Sequence, residues 1–405
     1  MISVEKAVQI ILDSINVLDS VTVPILGARG RILAEDIIST ENIPPYDIAT
    51  ISGYALQTVD IADANSNKPV ELQLVGEVSP GQKMVEPLKA KQAVRIITGA
   101  ALPQNADSVL PEEHAVRQSN KLLLVYKTSN NGDFIRRTGE DIARGTLVLP
   151  KGKKLNASDI GTLSEIDLTE VKCFRQPRVS FLTSGQGISD NSLTTGIGGP
   201  STRYTLYSQL AEYGAEPIDL GIASNDRQDI QTKIIEGLDH DMFVSTVGQS
   251  MDDFTHVKKM LEQMGMDIKF WKVAIKPAKP FIFGTCGDIP IFGLMGHPSA
   301  FYIVMEEFIR PALMKMMGCQ MIKRMEVKAA LTKDIRAENG VTCFMRGVVT
   351  LTDEGFTVTP ELRKPNSVRA FSTANGLIVI PANSGYLSTG TKVTVQVIAD
   401  PEFNN

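Results

Sequence analysis

Between residues 174 and 318 short apolar runs alternate with amphipathic helical patterns, and this alternation constrains the chain more than any other feature of it. Arg178-Val-Ser-Phe-Leu182, Pro217-Ile-Asp-Leu-Gly221 and Met242-Phe-Val-Ser245 read as strands. Residues 204–213, a stretch through Ile230, Ile234 and Ile235, and residues 254–264 read as helices, with Gly214 placed to end the first of them. A strand–helix–strand–helix order predicts a mostly parallel, doubly wound sheet. Ligands of such sheets bind beyond the carboxyl ends of the strands.

The flanks follow other rules. At 405 residues the chain exceeds the roughly 250–300 residues at which a single core stops growing, so several domains are expected. Residues 4–18 place Val4, Ala7, Val8, Ile11, Ile15 and Leu18 on one helical stripe, with Ser3 as cap and Glu5 in the first turn. From about 54 to 150 short runs rich in Val, Ile and Leu are broken by Gly, Pro and Asn turns, the pattern of a small all-β module. Strand patterns return after residue 322 as a separate small barrel or sandwich. The Gly196–Pro200 run is expected to be a mobile loop.

Composition excludes some partners. The net charge is −5, which argues against nucleic acid or a membrane surface, since both favour a basic face. Cys173, Cys286, Cys319 and Cys343 are scattered without a CxxC pair, fitting plain thiols in a reducing cytosol rather than a zinc knuckle or disulfide framework. The opening MISVEKAVQII lacks the pattern of a leader, and no run approaches the roughly 20 apolar residues of a membrane span. A cytoplasmic location is expected.

Chemistry concentrates in a few stretches. Phe270-Trp-Lys-Val-Ala-Ile-Lys-Pro-Ala-Lys-Pro-Phe281 presents Lys272, Lys276 and Lys279 on a segment stiffened by two prolines. Several ammonium groups on a rigid segment suit a phosphate or other oxyanion; solvated lysines on a strand-edge loop are the alternative. Phe134-Ile-Arg-Arg-Thr-Gly-Glu-Asp-Ile142 sets Arg136 and Arg137 beside Glu140 and Asp141. They could bind an anion and a metal, or simply pair with one another at the surface. Gly296 and His297 lie in a strand-to-helix turn that offers free N–H groups to an anion. Asp252-Asp253 could hold a metal, or Asp253 could cap the helix opening at Phe254.

These and further stretches occur in an order that resembles the MoeA/gephyrin E-domain family. They are Gly30-Arg-Ile-Leu-Ala-Glu-Asp36, Pro44-Pro-Tyr-Asp47 with Gly53-Tyr-Ala55, Ile97-Thr-Gly-Ala100, Ile135–Ile142, Phe270–Phe281, Gly293-Leu-Met-Gly-His-Pro298 and Asn375-Gly-Leu-Ile-Val-Ile-Pro381. The resemblance implies a helical elongated part (1–45 with 143–173), a β module (46–142), a doubly wound α/β domain like that of Mog and MoaB (174–321) and a C-terminal β-barrel (322–405). It implies insertion of molybdate into adenylylated molybdopterin with release of AMP, helped by Mg²⁺. A homodimer is implied, and a molybdopterin adenylyltransferase-type partner is compatible with it. Carried to matching positions, catalytic roles fall on position 52, Lys272 and Lys276. Substrate contacts fall on Thr98, Arg136, Asp226, Ser250, Lys279, His297 and Pro298, and metal contacts on Asp141 and Asp253.

The departures from the family pattern are specific. Asp47-Ile-Ala-Thr-Ile-Ser-Gly-Tyr-Ala55 carries Ser52 where the family has a catalytic Asp, and Ser184-Gly-Gln-Gly-Ile188 lacks both carboxylates of its counterpart. A hydroxyl replaces a carboxylate neither as metal ligand nor as proton acceptor near neutral pH. Two functions fit these residues: a divergent molybdenumtransferase, or a non-catalytic paralogue that binds a pterin or another anion.

Overall fold

The computed structural model describes residues 1–84, 86–184, 201–223, 227–247, 251–295, 298–361 and 372–403. The Gly196–Pro200 run lies outside them.

The central sheet has six strands in the order Glu216–Ala223, Arg178–Ser184, Met242–Val247, Ile289–Met295, Pro280–Cys286 and Asp267–Lys272. The first four are parallel, Pro280–Cys286 runs antiparallel to them, and Asp267–Lys272 is antiparallel to Pro280–Cys286 and so runs with the four. Helices Ser201–Glu212, Arg227–Gly237 and Met251–Gln263 form the crossovers. The strand opening the unit lies between the second and third, so the winding reverses beside it, where doubly wound sheets bind ligands. Phe181, Phe281, Phe283, Phe292 and Phe308 fill one core, while Phe243, Phe254 and Leu261 fill another.

The first helix, Val4–Asp13, begins as its cap predicts, with Ser3 Oγ accepting from Lys6 N–H at 3.2 Å. Its stripe Val4, Ala7, Ile11 and Ile15 is buried in the core of the α/β unit, against the helix Arg310–Met316. Burial of each Val or Ile contributes roughly 1.5–3 kcal/mol. Lys315 Nζ donates to Leu12 O and Leu18 N–H to Met316 O, tying the helix end to the same partner. The first helix, part of the segment 1–45 expected to group with 143–173, thus packs on the α/β unit. An amphipathic stripe specifies that a helix must be covered, and not by which element.

Residues on either side of the β module pair with one another. Strand Ser20–Pro24 pairs antiparallel with Glu170–Phe174, and Ile37–Ile38 with Leu147–Leu149. Val23, Leu33, Ile37, Leu155, Leu163 and Val171 share one core. Among the described residues it holds one α-helix, Ala157–Glu165, opened by an Asn156–Asp159 capping box, and the short 3-10 turn Ile25–Gly27.

The β module is a six-stranded sheet ordered Ser108–Pro111, Gly53–Leu56, Gln92–Ile96, Val70–Val78, Leu122–Val125 and Ala115–Ser119. Gly53 is dictated by packing, because a Cβ there would stand 2.2 Å from Leu110 O. The C-terminal strands close into a ring: Thr342–Thr352, Gly355–Pro360, Glu326–Leu331, Lys392–Val397, Gly376–Ile380 and back to Thr342–Thr352. Closure leaves the ring without an edge strand. Asn375 pins the seam, accepting from Val349 N–H at 2.6 Å and donating to Val349 O at 3.0 Å and Asp400 O at 3.2 Å. Of the expected barrel or sandwich, the barrel forms.

No helix among the described residues is long and apolar enough to cross a membrane. All four cysteines are free, Cys173 and Cys343 buried and the other two partly so.

Candidate functional site

The lysine segment leaves the central sheet at its carboxyl edge. Lys272 ends the edge strand and stands in register with Pro280. Register then carries the same level across the sheet: Phe281 with Leu294, Leu294 with Thr246, and Thr246 with Thr183. The loop 273–279 therefore emerges at the edge where the four parallel strands end. Asp226, Ser250 and His297 lie outside the described residues. The side chains of Asp253 and Pro298 are likewise outside them, although both residues belong to helices at this edge. The helix holding Asp253 starts at Met251, so Asp253 sits in its first turn and is not its N-cap.

The loop is clasped from three sides. Ala274 N–H donates to Ile2 O at 2.8 Å, Thr342 N–H to Ala274 O at 3.0 Å, and Val273 N–H to Lys279 O at 3.2 Å. Ile275–Lys276 adds to the barrel as a short parallel strand on Thr342–Cys343. Val273, Ile275 and Ala278 are buried, whereas Lys276 and Lys279 are exposed. The Lys276–Pro277 peptide is cis, and Ala278 takes φ +85°. The apolar residues thus anchor the loop and leave its ammonium groups facing out.

The three lysines have different neighbours. Lys272 Nζ stacks 3.9 Å from the Trp271 ring centroid. Lys276 Nζ meets Glu338 Oε2 of the barrel at 3.0 Å. The hydrogen bond from Lys276, then its charge and more weakly that of Lys279, hold the Glu338 carboxyl below its ordinary range. Sequence reading missed Glu338, because nothing in local spacing links it to the lysines.

On the β module, Ser52 and Thr98 meet. Their hydroxyl oxygens are 3.2 Å apart, and Thr98 N–H donates to Ser52 Oγ at 3.2 Å. The Ser52 hydroxyl therefore fastens the Thr98 turn. The Arg136–Asp141 stretch resolves mostly into self-pairing. Arg136 Nη2 lies 3.0 Å from Asp141 Oδ2, and Arg137 Nη1 lies 2.7 Å from Asp47 Oδ2. Thr138 donates to Asp47 Oδ1 from its N–H at 2.8 Å and its hydroxyl at 2.9 Å. Burial works to raise the Asp47 carboxyl, but the hydrogen bonds from Thr138 and Arg137 outweigh it and hold it below its usual value. No cluster of three metal-ligating side chains occurs among the described residues. No described hydrogen bond or ion pair joins Ser52, Thr98, Arg136 or Asp141 to the lysine loop.

Comparison with known proteins places this geometry. Residues 2–166 match the MoeA N-terminal region (domain I and II), residues 188–315 a probable molybdopterin binding domain, and residues 328–398 the MoeA C-terminal region (domain IV). The molybdopterin molybdenumtransferase of Bacillus subtilis is 30% identical over 377 residues, covering 91% of this chain and 88% of its own. That of Haemophilus influenzae is 29% identical, covering 91% of each. The crystal structure of the molybdopterin biosynthesis MoeA protein of Pyrococcus horikoshii superposes with a TM-score of 0.86 at 29% identity, over 99% of this chain and 100% of that one. With its N-terminal, central and C-terminal regions all matched, and a 30%-identical relative spanning 91% of it, the chain belongs to the MoeA family of molybdenum-cofactor biosynthesis.

Proposed function

We propose that this chain inserts molybdate into adenylylated molybdopterin and releases AMP. The observation that carries the reading is the register: it brings the lysine loop to the edge where the four parallel strands of the doubly wound sheet end. Molybdate, the pterin phosphate and AMP are all anions. Lys276 and Lys279, held outward on an anchored backbone, supply positive charge without reorganising when negative charge grows on the departing phosphate. Lys272 is suited to orienting an oxyanion beside the Trp271 ring. Ser52 acts by fixing the Thr98 turn, since its hydroxyl is no base near neutral pH.

A divalent cation at Asp141 and Asp253 finds one described carboxylate, and that one is held by Arg136. No step is assigned to the metal.

The test is release of AMP from adenylylated molybdopterin in the presence of molybdate, with and without Mg²⁺. Release dependent on molybdate is expected. Ser52→Asp should raise the rate about tenfold or more, because it restores a carboxylate beside the Thr98 N–H. No release from either protein would refute the assignment.

The same reading expects a homodimer. Ile38 and Leu147 are register partners that expose 54% and 52% of their surfaces, and Leu26 nearby in the chain exposes 90%. Exposed apolar groups of this kind mark interaction surfaces. Light scattering should give about twice the 44.1 kDa chain mass, and a strictly monomeric protein would contradict it.

A further inference from the structure

A cavity of about 480 Å³ opens between the first helix, the turn Met305–Ile309 and the C-terminal barrel. Its size falls within the roughly 300–1,000 Å³ of small-molecule pockets. The walls are apolar: Val4, Val8 and Leu12 come from the first helix, and Phe344 and Val379 from the barrel. The floor is a widened helical turn. Pro311 has no N–H to return to the Glu307 carbonyl, and the preceding backbone opens so that Arg310 N–H donates to Met305 O instead. Glu306 and Glu307, adjacent on this turn, both line the cavity.

The two carboxyls are satisfied unequally. Glu306 accepts from Arg324 Nε and Nη2 at 3.0 Å each and from the Tyr213 hydroxyl at 2.7 Å. Among the described residues Glu307 is offered only Gln396 Nε2, at 3.5 Å, the outer limit of a hydrogen bond, and it forms no ion pair. Burial first, and then the neighbouring Glu306, push the Glu307 carboxyl up to about 8; Glu326 adds to the rise and Arg310 opposes it. The Arg310 guanidinium is itself engaged, donating to Ile322 O at 2.8 Å. Glu5 on the first helix, and Lys323 on the segment leading into the barrel, complete the charged lining.

We infer that this cavity binds a small organic cation, an ammonium or guanidinium group on a short apolar body, with Glu307 as its counter-ion. A half-buried carboxyl facing an apolar-walled cavity without a cation is costly when ionised, which favours its protonated form; an incoming cation supplies the missing charge while its hydrocarbon fills the walls. The site is built from groups other than the lysine loop and does not depend on the reaction proposed above.

Calorimetric titration of the full chain with n-pentylammonium, 1-pentanol and pentanoate tests it. Saturable binding of the ammonium ion is expected, with the alcohol and the carboxylate at least about tenfold weaker. Pairing requires Glu307 to give up its proton, so binding near pH 7 should release a proton, seen as dependence of the heat on buffer ionisation. Affinity should rise between about pH 6 and pH 8.5, because the ionised carboxylate becomes available through that window. Glu307→Gln should weaken binding about tenfold or more and abolish proton release. Val8→Phe, which narrows the wall, should weaken the ammonium ion and the alcohol alike. Equal binding of 1-pentanol and n-pentylammonium, affinity unmoved by Glu307→Gln, or no saturation by ~10 mM would each overturn the inference.

Discussion

Arg324→Ala should destabilise the α/β unit by about 3–5 kcal/mol, the range for removing one partner of a buried ion pair. The Glu306 side chain is only 6% exposed and that of Arg324 21%, and the two are joined by paired hydrogen bonds. Burial alone would lower the Arg324 guanidinium, yet the hydrogen bond and charge of Glu306 keep it raised. The Tyr213 hydroxyl is pushed well above its ordinary range by burial and then by Glu306, so at neutral pH it stays a donor and cannot replace the lost charge. The variant leaves a carboxylate inside the protein with one neutral donor. The double change Glu306→Gln with Arg324→Met removes both charges and should lose far less, because the damage lies in the uncompensated charge and not in the missing contact. Trp271 is the only tryptophan of the chain and sits on the edge strand of this sheet, so its fluorescence reports denaturant unfolding of this unit. A loss below about 1 kcal/mol, or a double variant as unstable as the single, would show that the pair is not the keystone its burial suggests.

Lys276→Ala should weaken molybdate or AMP binding by about 1–3 kcal/mol, the usual span for hydrogen bonds to charged groups. That corresponds to roughly fivefold up to more than a hundredfold in affinity. Within the chain Lys276 is engaged by the exposed Glu338, and an anionic ligand must compete with that carboxylate. Glu338→Gln should therefore act in the opposite direction and tighten anion binding, modestly, because the pair is exposed to solvent. Binding in both cases should weaken as salt rises, since charges here are screened over about 8–10 Å at physiological ionic strength. Calorimetry with each anion resolves the outcomes; affinity indifferent to Lys276 would reduce the loop lysines to solvated surface.

Much of the architecture was legible because it is written in local periodicity. The apolar stripe from Val4 to Ile15, the strand runs at 178–182, 242–245 and 376–380, and the turn at Gly214 (φ +93°) each report the environment of a few consecutive residues. Helix and strand are defined over such short windows, so the sequence by itself determined the doubly wound sheet, the β module, the C-terminal strands and the presence of Lys272, Lys276 and Lys279 on one short segment. Partnership is another matter. The first helix was legible as amphipathic, but its cover by Arg310–Met316 and the central sheet was not. The lysines were legible as a cluster, but Glu338 reaches Lys276 only because the barrel packs a strand onto Ile275–Lys276. Glu306, Arg324 and Tyr213 carry no motif, and Glu307 became notable only when the cavity wall left it without a cation. Ser52 was read from its chemistry as a lost base, whereas its contact with Thr98 depends on the pairing of Gly53 with Ile96. Tertiary structure alone decided these, because a hydrogen bond or charge pair needs two groups within a few ångströms, and residues distant along the chain acquire that proximity only from the fold.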